Sequence, residues 1–346
     1  MSDAFVWIDP LADERWPRLV GRHSRASIFH STGWLEALKR TYAYEPVALA
    51  AERKDGELGS AIVFCAVKSW ITGCRLVSLP FSDHCNPLVD TADECEDLLA
   101  ILKRQSASWK YVEVRPRDPS SASMRGFLAA ATYYVHLLDL QPTLENLLHS
   151  FHANHIVRKI RRSEREKLTC EQGRSERLLE AFYALTIKTR RRHRLPPQPI
   201  EWFRSVLDCL PDQARVRVAY KGGVAIAAIL TLQTPSQMVY KYGASDPVYY
   251  RCGAMQFLLW GAIRDARGQG CRVLDFGRSG VESLGEVAFK DHWGTARMSM
   301  TYWRCPGVAQ RTRIGRIALG LGHRAAAFLP DRLLVTAGRV LYRHWG

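Results

Sequence analysis

A chain of 346 residues with 47% hydrophobic and 24% charged residues is long enough for two domains, each burying its own core. No run approaches the roughly 20 apolar residues of a membrane span, and the acid-rich start (Asp3, Asp9, Asp13, Glu14) lacks the basic-then-apolar order of a secretory signal, so a cytoplasmic protein is expected. The net charge of +15 is concentrated: residues 155–194 hold 13 Lys/Arg against 5 Asp/Glu and residues 304–346 hold 8 against 1, while the remainder is neutral. Such clusters suit a tRNA, a nucleotide-linked substrate or an anionic membrane, although an Arg-rich genome would leave the same mark without a partner.

In chain order, Thr32–Arg40 carries Trp34, Leu35 and Leu38 at helical spacing behind a Ser31 or Thr32 cap. Short apolar strands are expected at Val47–Ala51, Ser60–Val67 and Arg75–Leu79, the first two joined by a hairpin turn at Asp55-Gly56. A helix follows over Asp93–Gln105 and a strand over Tyr111–Arg115. Residues 143–168 read as one long basic-ended helix, and Arg177–Thr189 as another running into Arg190-Arg191-Arg192-His193-Arg194, stopped by the prolines of Leu195–Pro199. After a helix at Glu201–Leu210 the first pattern recurs. Strands at Arg215–Tyr220, Val224–Thr234 and Met238–Tyr242 precede a helix at Ala254–Arg267, and strands follow at Arg272–Phe276 and Ala296–Trp303. Two hairpin–helix–strand blocks suggest a duplicated α/β unit.

The nine cysteines are scattered and form no C-x-x-C pair, so free thiols are expected. His149, His152 and His155 recur every three residues and spread around a helix, which argues against a metal site, and none is expected. No G-x-S-x-G, Walker A or G-x-G-x-x-G motif is present.

Several segments stand in a telling order: His30-Ser31-Thr32-Gly33-Trp34, Ser78–His84, Thr189–Pro199, Lys241–Ser245, Leu274–Ser279 and Phe289-Lys290-x-x-Trp293-Gly294. Over about residues 25–305 this set resembles the Fem-like branch of the GNAT acyltransferases, the group that includes enzymes building peptidoglycan interpeptide bridges and relatives from polysaccharide gene clusters. The resemblance implies an α/β (α+β) protein of two GNAT-like domains side by side, each a mixed, mostly antiparallel sheet flanked by helices. The expected division is 1–140, a helical connector at 141–170, a second domain at 171–305, and a basic helical tail at 306–346. The implied chemistry is attack by an acceptor amine or hydroxyl on an activated acyl group, without a tightly bound cofactor. The donor is aminoacyl-tRNA or acyl-CoA. The classical CoA loop reads [Q/R]-x-x-G-x-[G/A], whereas Tyr249–Ala254 places Arg251 only two residues before Gly253, which shifts weight toward tRNA.

Acyl transfer develops an oxyanion, and one well-placed donor is worth roughly 3–4 kcal/mol. Lys290, next to Phe289 in the family motif, is the leading catalytic candidate; its bland reading is a surface lysine lying along Phe289 and Trp293. Asp275, on an apolar strand, needs a partner such as Arg278 or Lys241, as an acceptor-positioning pair or a plain salt bridge. Trp34 is a candidate for lining an acceptor cleft, against a core role, and Tyr242 joins it as a binding candidate. Asp83 and His84 lie in a loop, with His84 a candidate base. Arg190, Arg191, Arg192 and His193, with Arg251, are candidates for gripping donor phosphates. The expected acceptor is a saccharide, peptide or nucleotide-linked cell-envelope precursor, with peripheral contact at the inner face of an anionic membrane. The rivals are an acyl-CoA-dependent N-acetyltransferase and a non-catalytic nucleic-acid-binding module on a degenerate transferase fold.

Overall fold

The computed structural model describes residues 4–117, 124–306 and 330–346. They divide into two compact units. The first runs to Tyr133 and takes back the chain from Met300 and again from Arg339; the second runs Tyr134–Ser299 and includes the final helix up to Gly338.

In the first unit, β1 (Ala4–Ile8), β2 (Glu45–Glu52), β3 (Leu58–Val67), β4 (Arg75–Val77) and β5 (Tyr111–Val114) lie side by side in that order. The first three junctions are antiparallel, β4 and β5 are parallel, and the last strand β12 (Ala296–Pro306) pairs antiparallel with β5 through Trp303↔Val114. The β2–β3 hairpin closes at Asp55-Gly56, where Gly56 takes φ +80°. Two N-terminal helices, α1 (Arg15–Arg22) and α2 (Thr32–Tyr42), and α3 (Ala92–Gln105) complete the unit. Ser31 caps α2 by accepting from the Trp34 N–H at 3.2 Å. Leu98, Leu102, Phe64, Val112 and Cys305 share its core.

The second unit repeats this plan with β7 (Thr169–Gly173), β8 (Ala214–Lys221), β9 (Val224–Gln233), β10 (Gln237–Ser245) and β11 (Val273–Gly280). Again three antiparallel junctions lead to one parallel pair, β10 with β11. The strand beyond β11 is β6 (Leu128–Asp139), from the earlier half of the chain. Each unit thus borrows its last strand from the other half of the sequence, and the doubled mixed sheet flanked by helices is as expected. Ile226–Leu232 of β9 is buried throughout, because α6 (Glu176–Arg192) and α8 (Ala254–Gly268) both pack on it.

The expected single helix over 143–168 breaks. α4 (Leu144–Ser150) ends before Phe151, a π-helical turn covers Ala153–Val157, and α5 (Arg158–Arg165) follows. Leu147, Phe151, Ile156 and Ile160 enter the second unit's core, so these residues pack inside that unit where a connector was expected. The division falls at Tyr133, not residue 140. α7 (Ile200–Cys209) lies where a helix was expected, and Lys290 sits on an unexpected helix, α9 (Leu284–Asp291). Of the tail, residues 307–329 lie outside the described residues, and α10 (Asp331–Leu341) is helical.

Candidate functional site

β10 and β11 are hydrogen-bonded only through Gln237–Val239 and Val273–Asp275, yet they run on to Ser245 and Gly280. Two parallel strands that stop pairing open a wedge at their carboxyl ends, the place where α/β sheets hold ligands. A bulge at Lys241 interrupts the β9–β10 ladder at the same level, a device common beside active sites. At the carboxyl end of β10 the second unit has a cavity of about 240 Å³ lined by Lys159 of α5, Ala227 of β9, Ser245, Asp246, Tyr250, the first turn of α8 and Phe289 of α9. Gly253 makes this possible. It holds φ +75°, and a Cβ there would fall on the Lys159 carbonyl oxygen, so only glycine lets α5 and α8 approach this closely. The first turn of α8 therefore faces the cavity with its positive dipole end.

The basic end of α6 forms part of the rim. Lys188 donates to Asp246 at 2.6 Å, and this bond holds the Asp246 carboxyl below its usual range. Thr189 Oγ1 accepts from the Ser245 N–H at 3.0 Å. The Arg192 guanidinium lies 5.2 Å from the Tyr250 ring centroid, over a residue that lines the cavity, and donates to His193 Nε2 at 3.1 Å. His193 is exposed and sits below its usual pKa through partial burial and the charges of Arg192 and Arg190. Arg191 is paired with Asp331 of α10, and Arg190 is half-buried. Arg192 is therefore the member of the predicted cluster seen beside a cavity residue. Arg251 is exposed and outside the cavity lining.

Lys290 is buried rather than on the surface. Its ammonium donates to the carbonyls of Gly277 (3.3 Å) and Arg278 (2.8 Å) and pairs with Glu286 at 2.9 Å. An ammonium has three N–H groups, so all three are engaged, and an oxyanion can be served only if one partner is exchanged. Glu286, about half-exposed, is the one with solvent to return to. Asp275 is fully buried and accepts from the Gly277 N–H at 2.7 Å, which helps hold the part of β11 at Gly277 (φ +73°) that presents the two carbonyls. Arg278 is half-buried. Behind Lys290, buried His136 meets the Asp291 carboxylate at 3.2 Å; burial first, then the Lys290 charge, lowers its pKa. His136 carried no sequence signal, since it lies on β6, a strand paired far from its neighbours in sequence.

Tyr242 accepts from Trp202 Nε1 at 2.9 Å, and the Lys241 ammonium lies 5.4 Å from the Tyr242 ring centroid. Neither lines the cavity, whereas Phe289 does. Lys159, Asp246 and Tyr250 were missed; Tyr250 stood inside the motif at 249–254, but nothing local marked Lys159.

In the first unit the corresponding carboxyl ends of β4 and β5 are filled by the chain itself. Cys85 bridges to Arg115 and Leu88 to Ala61, carrying the 79–88 loop across them. His84 is 1% exposed with its ring edge-on to Phe29 at 5.6 Å, and the Asp83 carbonyl accepts from the Tyr302 hydroxyl at 2.7 Å. Trp34 is 0% exposed, edge-on to Phe29 at 5.0 Å. These three candidates are core and loop-anchoring residues, because the loop expected to be open is packed inside. Beside them Cys85 Sγ lies 3.3 Å from His30 Nε2, and burial pushes the thiol up to about 12 and the imidazole down to about 4, so both favour the neutral form.

Residues 150–291 match the acetyltransferase (GNAT) domain family. The fold is similar to that of FemX (15% identity, 88% of this chain and 97% of that one, TM-score 0.69). It is also similar to a tandem GNAT protein from the clavulanic acid biosynthesis pathway (12%, 89% and 99%, TM-score 0.56). A third similar fold is the C-terminal domain of a putative lysylphosphatidylglycerol synthetase from Agrobacterium fabrum (14%, 91% and 96%, TM-score 0.54). A comparison with curated proteins gives no match.

Proposed function

We propose that this chain, an acyltransferase of the GNAT superfamily with a Fem-like fold, moves an acyl or aminoacyl group from a phosphate-bearing donor in the second unit onto an amine of a cell-envelope precursor. The observation that carries the reading is the cavity at the carboxyl end of β10, with a helix start facing it and Lys159, Lys188 and Arg192 around it. A helix N-terminus and clustered cations hold phosphate. Aminoacyl-tRNA is the favoured donor, because the 155–194 segment carries more positive charge than a pyrophosphate needs and the CoA loop spacing is broken. The names FemX and lysylphosphatidylglycerol synthetase point the same way, toward aminoacyl transfer at the envelope. Acyl-CoA is the second reading, favoured by the GNAT domain match itself.

In this reading the acceptor amine attacks the acyl carbonyl, the carbonyl oxygen gains charge, and the donor leaves with the proton released by the amine. Lys290 stabilises that oxygen after Glu286 yields, while Asp275 and Arg278 hold β11 at Gly277. The test is binding of CoA and of aminoacyl-tRNA to the wild type and to the Arg190→Ala/Arg191→Ala/Arg192→Ala variant across a salt series. The variant is expected to bind tRNA at least about tenfold more weakly, with a shallower salt slope. Loss confined to CoA would transfer the reading to the second donor, and unchanged binding of both would defeat it.

A further inference from the structure

The fold brings together three imidazoles that no local pattern joins. His152 and His155 enter from the π-helical turn before α5, and His292 follows α9. One ligating nitrogen from each lies within 4.8 Å of the others. The ring centroids are 4.6 Å apart for His152 and His155, 4.5 Å for His152 and His292, and 4.3 Å for His155 and His292. We propose that this triad is a binding site for a divalent transition metal ion, with zinc, cobalt, nickel or copper as the chemical class.

Placement of the ligands is fixed by the core beneath them. The His152 N–H donates to the His292 carbonyl at 2.8 Å, tying the two segments together. Phe151 and Trp293, the chain neighbours of His152 and His292, are buried edge-to-face at 5.1 Å. Gly294 adds close approach, since a side chain there would press on Ser150 at 3.1 Å. The ligand-bearing backbones are thus held while the rings remain accessible: His152 and His155 are exposed and His292 half-buried. Three imidazoles without a carboxylate suit a borderline-soft ion and leave a coordination position for water; magnesium or calcium would need oxygen ligands. Asp291, next to His292, is turned to His136 and Arg297. One local adjustment is required. His152 Nδ1 accepts from the Asn154 and His155 N–H groups at 3.2 and 3.3 Å, and coordination through either nitrogen would break those long bonds. His149, which shares the three-residue spacing in sequence, is not part of the cluster; its place is taken by His292, over a hundred residues on.

The experiment uses full-length protein without a histidine tag, stripped with chelator and titrated with cobalt(II) by visible absorption and with zinc(II) by calorimetry. One ion per chain is expected, with nitrogen-type cobalt bands. His155→Ala and His292→Ala should each weaken binding at least about tenfold, whereas His149→Ala should not. Unchanged urea midpoints of the metal-free variants would exclude misfolding as the cause of a loss. No saturable binding, full retention in His292→Ala, or an intense thiolate-to-cobalt band from one of the nine free cysteines would overturn the assignment.

Discussion

Lys290 shows what a buried cation requires. Desolvating an ammonium is costly unless its donors are met, and two backbone carbonyls plus Glu286 meet them. The carbonyls are fixed parts of β11, but Glu286 is nearly half in water. If Lys290 serves the oxyanion, Glu286 is only an occupant of the place the substrate oxygen takes. Lys290→Met, which keeps the apolar stem, should then lower kcat about 100-fold or more, while Glu286→Ala should preserve or raise it. Transfer assays with the donor identified by binding decide the matter. A Lys290→Met enzyme with wild-type kcat and a lowered urea midpoint would make the lysine a strut for β11 at Gly277. A parallel loss in Glu286→Ala would make the pair, rather than the ammonium alone, the working unit.

Among the elements, the junction of α5 with α8 rests on Gly253. Left-handed φ costs a residue with Cβ roughly 1–2 kcal/mol, and here the added carbon would also meet the Lys159 carbonyl oxygen. Gly270 is a fair control, with φ +83° and open space around its would-be Cβ. Gly253→Ala should therefore cost clearly more than Gly270→Ala, by about 1–3 kcal/mol from the forced backbone shift, read as urea midpoints at constant slope. Equal midpoints would mean that α5 moves freely and that the cavity is not shaped by this contact. Local chemistry made these elements readable: Asp55-Gly56 turns its hairpin, and the apolar run Val224–Thr234 reads as a strand. Such signals act over a few residues. They could not reveal that β6 and β12 exchange places between the units, that the 79–88 loop folds inward with His84 buried and Trp34 packed in the core, or that His292 arrives beside His152. All three depend on pairing across long stretches of chain. The arginine cluster falls between these cases: its location at the end of a helix was legible, but Arg191 is spent on Asp331 of α10 and only Arg192 stands over a cavity residue.

Charge is the property that belongs to the whole molecule, and it has two centres. From the excess over 155–194, Lys159 lines the cavity of the second unit, Lys188 pairs with its Asp246 and Arg192 lies over its Tyr250. The excess over 304–346 needs a separate reason. No helix among the described residues is long and apolar enough to cross a membrane. At the chain end part of the apolar side is already used: Leu334 is 0% exposed, Gly338 rests on the Pro197 carbonyl, and the Tyr342 carbonyl accepts from Tyr44 at 2.7 Å. Within 330–346, Leu333 and Val340 remain exposed while Leu334 and Tyr342 are buried, so a truncation at Pro306 would strip core contacts along with charge. Arg311, Arg313, Arg316 and Arg324 lie in the stretch outside the described residues and carry four of the positive charges. Each arginine near an anionic leaflet contributes about 1 kcal/mol, and salt screens it within a Debye length. The expected behaviour is electrostatic attachment. Full-length protein should float with phosphatidylglycerol-containing vesicles at low salt, be released by about 0.5 M salt, and ignore phosphatidylcholine vesicles. Replacing those four arginines by glutamine should abolish flotation and leave the urea midpoint unchanged. Flotation that survives the fourfold replacement would place the membrane contact elsewhere, and no flotation of the wild type at low salt would leave the basic tail to another polyanion, such as the tRNA of the donor.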